Sequence, residues 1–136
     1  MCSELGMKLK VAGRKDGSNS LTHDEMPAFY NSGDVLFITS KYEAHPLVAY
    51  EAMACGIPVI SGNIGDLSEI IDNGRNSFIF DPCSQARGFR SSLKLLRDDE
   101  NFRKSMGKKA RAAILKKWKW ESIAEQYRSL GRTVNE

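Results

Sequence analysis

A continuous apolar run at residues 35–39, Val-Leu-Phe-Ile-Thr, restricts the possible folds more than any other part of the sequence. Such a run predicts a strand that is covered on both faces, as the strands of parallel sheets are. A second run begins at residues 59–60, and residues 77–80 predict a third short strand. Because helical segments and short loops separate these runs, the sequence predicts an α/β fold with an open parallel sheet and helices on both faces.

Capping signals place two helices around these strands. Thr22-His-Asp-Glu25 has the spacing of a capping box, and it predicts a helix through Tyr30. Residues 66–69, Asp-Leu-Ser-Glu, have the same spacing and predict a second helix that runs to about Asp72.

The first 21 residues contain weaker signals. Residues 3–6 have the pattern of a helix end at Gly6, and residues 7–12 alternate as a strand does. Residues 13–20 are rich in turn formers, and a very short strand is expected around Leu21.

The sequence after residue 81 predicts three helices, each with an apolar stripe at helical spacing. These stripes are expected to face the core rather than a cofactor. They comprise Phe89, Leu93 and Leu96 in the first helix, Phe102, Met106, Ala110, Ala113 and Ile114 in the second, and Trp120, Ile123, Ala124 and Tyr127 in the third.

Length and composition are those of one globular domain spanning residues 1–136, with 41% apolar and 27% charged residues. No apolar run approaches the length needed to span a bilayer, and no signal peptide is expected at the start. The three cysteines lack the spacing of a metal site, which favours reduced thiols and a cytoplasmic location.

A basic flank lies between residues 87 and 119, which hold twelve Lys or Arg and three Asp or Glu. Such a flank suits an anionic partner, and the inner membrane surface is one candidate because Trp118 and Trp120 accompany the lysines. A solvated helix face explains the same pattern, and both interpretations stay open. Nucleic acid is not expected as a partner, because no recognition motif accompanies the charge.

Several kinds of site are excluded by missing motifs. The sequence has no Gly-x-Gly-x-x-Gly after a strand, no P-loop and no Gly-x-Ser-x-Gly elbow. It has only two histidines, His23 and His45, which excludes a histidine-rich metal centre. We therefore expect neither a metal nor a cofactor.

The segment from Ser40 to Gly56 is the best candidate for a site, because it holds two glutamates in an otherwise apolar context. It follows the first predicted strand, and ligands of open parallel sheets bind beyond the carboxyl ends of the strands. Pro46 suits the first turn of a helix that ends at about Cys55. Because His45 cannot cap that helix as Ser or Asp would, its first amides are expected to be open to an anion such as a diphosphate.

The two glutamates, Glu43 and Glu51, are both placed to bind a sugar. Glu51 lies one turn inside the helix, where its carboxylate could accept hydrogen bonds from the vicinal hydroxyls of a ribose. We expect a ligand to be its partner, since a carboxylate on so apolar a helix is costly to desolvate alone. The alternative is that Glu43 merely forms a capping device with Ser40 and that Glu51 reaches solvent.

The same segment resembles the signature of the group 1, or family 4, retaining glycosyltransferases. The resemblance lies in Ser40-x-x-Glu43-x-x-Pro46 and in Glu51-Ala-Met-Ala-Cys-Gly-Ile-Pro-Val-Ile60, and the flanks resemble the family over about residues 4–130. It implies one half of the two-domain GT-B fold, namely the Rossmann-like half that binds a nucleoside-diphosphate sugar without a metal. It also implies that the first strand and the acceptor-binding half precede Met1.

The resemblance assigns roles to individual residues. It implies that Glu51 holds the donor ribose, Glu43 the donor sugar, and Pro46, Leu47 and Val48 the diphosphate. The base is expected near Leu21 and Thr22. No catalytic residue is identified in this half. Ala44 and Ser77 stand where the family usually has glycine.

The leading hypothesis is a fragment of a glycosyltransferase that binds the donor for transfer of a hexose to an acceptor, and that is inactive alone. The alternative is a non-catalytic module that binds a nucleotide sugar or a partner. In either case the expected partner is a separate amino-terminal half or a second copy of the chain.

Overall fold

Three parallel strands, β1 (Leu36–Ile38), β2 (Val59–Gly62) and β3 (Phe78–Phe80), form a sheet in the order β1-β2-β3 in the computed structural model. Leu36 lies opposite Val59, and the register continues in parallel from β2 to β3. All four residues of β2 are buried, as expected for a central strand covered on both faces. The three strands predicted from the apolar runs are therefore confirmed.

The structure describes residues 2–11, 21–81 and 84–133. Within these ranges the α-helices are α1 (Met26–Asn31), α2 (Leu47–Ala54), α3 (Gln85–Asp98), α4 (Glu100–Lys117) and α5 (Trp120–Thr133). Single 3-10 turns occupy Ser3–Leu5, His23–Glu25 and Leu67–Glu69. None of the helices in these ranges is long and apolar enough to cross a membrane.

Helices cover the sheet on both faces, which confirms the predicted α/β class. The sheet carries one buried cluster on each face, and alternate residues of β2 divide between them, since Val59 belongs to the first and Ile60 to the second. The first cluster is built with α1, α2 and α4 and includes Tyr30, Ala49, Met53, Leu67, Ala110 and Ile114. The second is built with α3 and the first half of α4 and includes Phe89, Leu93, Leu96 and Met106.

Helix α4 meets the turn after α2 at unusually close range. Gly107 of α4 faces the carbonyl oxygen of Gly56, and a Cβ atom at residue 107 would collide with that oxygen. Arg111, one turn later, donates a hydrogen bond to the carbonyl of Ala54. The two helices are thus held together by backbone contact as well as by side-chain packing.

Only one of the two predicted capping boxes forms. The Thr22 amide donates to Glu25 Oε2 at 2.7 Å, which confirms the first box. At Asp66 the side chain caps nothing, and the helix predicted to reach Asp72 is a single 3-10 turn. The Asp66 carboxylate instead bonds to His45 in another loop, because a tertiary partner competes successfully with the local amide.

The amino-terminal predictions are partly wrong. Residues 3–5 form a 3-10 turn that Gly6 ends with a φ of 65°, as the pattern indicated. Residues 7–11 and Leu21 have no regular secondary structure, so the strands predicted there are wrong in the described part. The turn predicted at residues 13–20 lies outside the described residues, as do Ala12, Pro82 and Cys83.

The stripe predicted for the third carboxyl-terminal helix does not face the core. Tyr127 of α5 is 73% exposed and Leu130 is 63% exposed, whereas Ile123 is half-buried. The side chain of Trp120 lies outside the described residues. Helical spacing predicted the amphipathic face of α5 correctly, but the side chains of residues 124–130 are all exposed.

Candidate functional site

The loops that follow the three strands lie at one edge of the sheet, because parallel strands all end at the same side. Asn63, in the loop after β2, joins the second loop to the third. The backbone amide of Asn63 donates to the carbonyl of Phe80 at 2.9 Å, and its side-chain Nδ2 donates to Asp81 Oδ1 at 3.3 Å. The loop after β2 is therefore joined to the end of β3 and to Asp81.

The loop after β1, which carries Glu43, is joined to the loop after β2 in two ways. His45 Nδ1 donates to Asp66 Oδ2 at 2.5 Å. Gly65 has a φ of +54°, and a Cβ atom there would lie 2.5 Å from the carbonyl oxygen of Ala44. The second loop can approach the first this closely only because residue 65 is glycine.

Glu51 has a protein partner. It lies half-buried on α2 between the buried Tyr50 and Ala52, and its Oε2 accepts a hydrogen bond of 2.7 Å from the hydroxyl of Tyr30 on α1. Burial first, and then the Glu51 carboxylate, raise the pKa of the Tyr30 hydroxyl above its usual value, which keeps it protonated as a donor. A protein side chain therefore compensates one of the two Glu51 oxygens, where a ligand was the expected partner, and the assignment of the ligand stays a prediction.

Glu43 has no such partner in the described part of the chain. It is exposed, and it lies in a loop rather than at a helix start. The capping device considered for Ser40 and Glu43 does not form, since the next helix begins only at Leu47.

The start of α2 is only partly open. Pro46 occupies the cap position, and no side chain caps the helix, as predicted. However, the Leu47 amide donates to the His45 carbonyl and the Ala49 amide donates to the Pro46 carbonyl, both at 2.9 Å. Among the described residues only the Val48 amide of these three lacks a backbone partner. The prediction that all three amides at the start of α2 are open is therefore wrong for Leu47 and Ala49.

The predicted base-binding residues lie at the surface ahead of α1. Leu21 is 39% exposed, and the exposed Thr22 uses both its amide and its hydroxyl to bond Glu25. No hydrogen bond or ring contact of the described residues joins Leu21 to Glu43 or Glu51. This segment leads into α1, whose Tyr30 reaches Glu51.

Sequence reasoning missed an aromatic cluster at the same edge. The ring of His45 lies 4.6 Å from that of Tyr50 and 5.9 Å from that of Trp118, and the last two rings are 4.9 Å apart. Burial and the nearby Asp66 carboxylate raise the pKa of the Tyr50 hydroxyl. No sequence pattern indicated this cluster, because its members are separated by up to 73 residues.

A groove of ≈ 360 Å³ lies elsewhere, between α4 and the segment after β2. It is lined by acidic and basic groups, including Glu69, Asp72, Lys116 and Lys117. None of the seven predicted donor-binding residues lines it, so it is not part of the candidate site.

Comparison with known proteins gives a consistent result. The family model described as "Glycosyl transferases group 1" matches residues 10–113. An uncharacterized glycosyltransferase of Methanocaldococcus jannaschii is 34% identical over 131 residues, which cover 93% of this chain and 31% of that protein. The D-inositol 3-phosphate glycosyltransferase of Paenarthrobacter aurescens is 35% identical over 108 residues, 76% of this chain and 26% of that protein.

Solved structures show the same fold. The sucrose-phosphate synthase of Thermosynechococcus elongatus matches with a TM-score of 0.77 at 28% identity over 85% of this chain and 29% of the synthase. Anabaena HepE in complex with UDP-glucose matches with a TM-score of 0.74 at 22% identity, a likeness of fold alone, over 85% of this chain and 31% of HepE. The chain thus spans about three-tenths of the length of these proteins.

Proposed function

The chain belongs to the glycosyl transferases group 1 family, and from that premise we propose that it binds the nucleoside-diphosphate sugar donor of a retaining hexosyltransferase. The observation that carries this proposal is the half-buried Glu51 on α2, the helix that follows β1, where Tyr30 holds one of its oxygens. An ionised carboxylate can accept about four hydrogen bonds, so one from Tyr30 leaves capacity for two vicinal ribose hydroxyls.

The diphosphate is assigned to the start of α2, at Pro46, Leu47 and Val48. One open amide, that of Val48, and the positive end of the helix dipole are available there. Since the neighbouring amides of Leu47 and Ala49 are engaged locally, this helix start contributes less than a fully open one. Nucleotide binding by the chain alone is therefore expected to be weak.

The remaining donor contacts follow from exposure and position. Glu43 is exposed in the loop beside the helix start, where it can accept hydrogen bonds from the transferred sugar. Leu21 and Thr22 are assigned to the edge of the base, with Leu21 offering apolar surface. We assign no general base to this chain, and we propose that binding requires no metal.

Anabaena HepE has been solved with UDP and with UDP-glucose, which makes UDP a sensible first probe. We propose isothermal titration calorimetry of the chain with UDP, GDP and ADP, each with Mg²⁺ and with EDTA. One of the three is expected to bind, with the same Kd in both buffers. Glu51→Gln, which keeps the shape and removes the charge, is expected to weaken binding at least tenfold.

Glu100→Gln is the matched control, because Glu100 is an exposed glutamate paired with Lys104 on α4. It is expected to leave the Kd unchanged. Equal affinity of wild type and Glu51→Gln would contradict the assigned role of Glu51. Absence of binding by all three nucleotides would contradict the proposed function itself.

Transfer of the sugar is proposed for an assembly rather than for this chain alone. The chain spans about three-tenths of its relatives, and among the described residues β1 pairs with a strand on one side only. An unpaired strand edge is a site for association. We propose that a separate amino-terminal half, or a second copy, covers this edge. Light scattering that shows a monomer at high concentration would exclude the second copy.

A non-catalytic role is the alternative, in which the chain only binds the nucleotide sugar or its partner. Mixing the chain with the amino-terminal half of a close relative and assaying sugar transfer separates the two possibilities. Transfer by the mixture supports the enzyme, whereas a stable but inactive mixture supports the module.

Contact with anionic membranes is a further proposal, supported by α4. Residues 101–119 contain eight Lys or Arg and no Asp or Glu, and Leu115 among them is 44% exposed. Basic groups beside exposed apolar side chains favour anionic lipid surfaces. The chain is expected to sediment with phosphatidylserine vesicles at low salt, and replacement of Lys108, Lys109, Lys116 and Lys117 by Gln is expected to abolish this. Equal recovery of both proteins in the supernatant would rule the proposal out.

A further inference from the structure

We propose that His45 and Asp66 form a latch that holds the Glu43 loop in its donor-binding shape, with Asp66 as a positioning residue. The proposal rests on the proposed function for the role of that loop. Its basis is the pair itself, in which His45 Nδ1 meets Asp66 Oδ2 at 2.5 Å. The pair joins two loops that are 21 residues apart in sequence and adjacent at the carboxyl edge of the sheet.

The His45 ring packs against two aromatic rings, at interplanar angles of 35° to Tyr50 and 36° to Trp118. Its centroid lies 4.6 Å from that of Tyr50 on α2 and 5.9 Å from that of Trp118, which follows α4. Tyr50 is only 7% exposed, so the ring rests on a fixed surface. The histidine therefore transmits the position of the α2–α4 core to the loop that it belongs to.

Asp66 faces two groups. Among the described residues His45 is its only ion-pair partner, and the Tyr50 hydroxyl, whose pKa is raised first by burial, lies close enough for the Asp66 carboxylate to raise that pKa further. The pair itself is partly open to solvent, since 41% of the His45 side chain and 25% of the Asp66 side chain are exposed. Glu69 is a second carboxylate near the ring cluster of His45, Tyr50 and Trp118. Like Asp66 it is negatively charged, and it also raises the pKa of the Tyr50 hydroxyl.

Backbone contact adds to the latch. Gly65, next to Asp66, approaches the carbonyl oxygens of Glu43 and Ala44 so closely that a Cβ atom would lie 2.9 Å and 2.5 Å from them. The loop is thus supported beneath Glu43 by Gly65 and held two residues later through His45. Glu43 itself makes no hydrogen bond with the described residues, so its position depends on these supports.

Two substitutions break the latch in different ways. His45→Phe keeps an aromatic ring against Tyr50 and Trp118 but cannot donate to Asp66. Asp66→Asn keeps the volume and removes the charge. Asp72→Asn is the matched control, since Asp72 pairs with a basic side chain, Arg75, across a turn at 3.3 Å.

Hydrogen exchange measured by mass spectrometry tests the latch without a ligand. Amides of residues 41–48 are expected to exchange at least five times faster in His45→Phe and in Asp66→Asn than in wild type or Asp72→Asn. The double variant is expected to exchange no faster than either single variant, since both substitutions remove the same interaction between His45 and Asp66. Unchanged exchange in both single variants would overturn the proposal, and circular dichroism confirms that each variant is folded.

UDP titration tests the consequence for the donor. Both single variants are expected to raise the Kd three- to tenfold, again without an additive effect in the double variant, and Asp66→Glu is expected to recover part of the affinity. If wild type binds none of UDP, GDP and ADP, the proposed function fails while hydrogen exchange still decides the latch. If wild type binds and all variants bind equally well, the positioning role fails while the proposed function stands.

Discussion

The hydroxyl of Tyr30 donates a hydrogen bond of 2.7 Å to Glu51, and this contact joins the end of α1 to the middle of α2. Tyr30 is 4% exposed, so the bond lies at the border between the core and the candidate site. It stabilises the fold and orients the carboxylate at the same time. Its removal is therefore expected to affect both stability and binding.

Tyr30→Phe is expected to lower the free energy of unfolding by about 1–2 kcal/mol, because a partly buried carboxylate loses a charge-assisted hydrogen bond. Urea denaturation measures this loss, and Tyr127→Phe serves as control because Tyr127 is 73% exposed. The Kd for UDP is expected to rise about threefold, since Glu51 is then less well oriented. Equal stability of Tyr30→Phe and the control would show that the bond contributes nothing.

Stability is expected to decrease at alkaline pH because of Tyr30 and Tyr50. Burial raises the pKa of both hydroxyls in the folded state, with Glu51 and Asp66 respectively as further causes. The unfolded chain then releases these protons first, near the ordinary tyrosine pKa of about 10. Stability from each group is complete below that pH and is lost above it at up to about 1.4 kcal/mol per pH unit.

Urea denaturation between pH 9 and pH 11 tests this pH dependence. The slope of unfolding free energy against pH is expected to be shallower in Tyr30→Phe and in Tyr50→Phe than in wild type. A slope that neither substitution changes would assign the alkaline loss to other groups.

Gly65→Ala is expected to destabilise the chain more than Gly74→Ala. Both glycines have positive φ, but a Cβ atom at residue 74 would meet only Phe78 at 3.8 Å, whereas one at residue 65 would collide with the Ala44 carbonyl. Positive φ alone costs about 1 kcal/mol, and displacement of the loop adds to this at residue 65 only. Thermal denaturation gives the difference, and similar losses at both positions would show that the close approach is relaxed in solution.

Helix α5 is expected to contribute little packing energy through its second half. Leu130→Ala is predicted to change the free energy of unfolding by less than about 0.5 kcal/mol, because the side chain is 63% exposed. Leu96→Ala, at a fully buried position of α3, is predicted to cost about 2–5 kcal/mol. A large loss at Leu130 would show that another surface covers α5 in solution.

Patterns that depend on neighbours in sequence predicted the structure well. The apolar run at residues 35–39 predicted β1, and the spacing of Thr22 and Glu25 predicted a capping box that forms. Glu51 was predicted to be a site residue from the cost of a carboxylate among apolar residues, and it is half-buried on α2.

Contacts between distant residues could not be predicted in this way. The same capping spacing at Asp66 failed because His45, 21 residues earlier, binds that carboxylate. The partner of Glu51 was missed for the same reason, since Tyr30 reaches it only after α1 packs on α2. The exposed face of α5 has ordinary amphipathic spacing, and spacing alone does not indicate whether a partner covers it.

The backbone contact between Gly107 and Gly56 sets the helical phase of α4. Trp118 follows Gly107 by eleven residues, which is about three turns and a rise of about 16 Å, so both lie on nearly the same side of the helix. Because the helix is fixed at Gly107, the number of residues between Gly107 and Trp118 determines whether Trp118 lies beside His45. Inserting one residue between them would rotate Trp118 by about 100° away from that ring. The contact between α2 and α4 at Gly56 and Gly107 therefore fixes the position of Trp118 beside His45, at the opposite edge of the sheet.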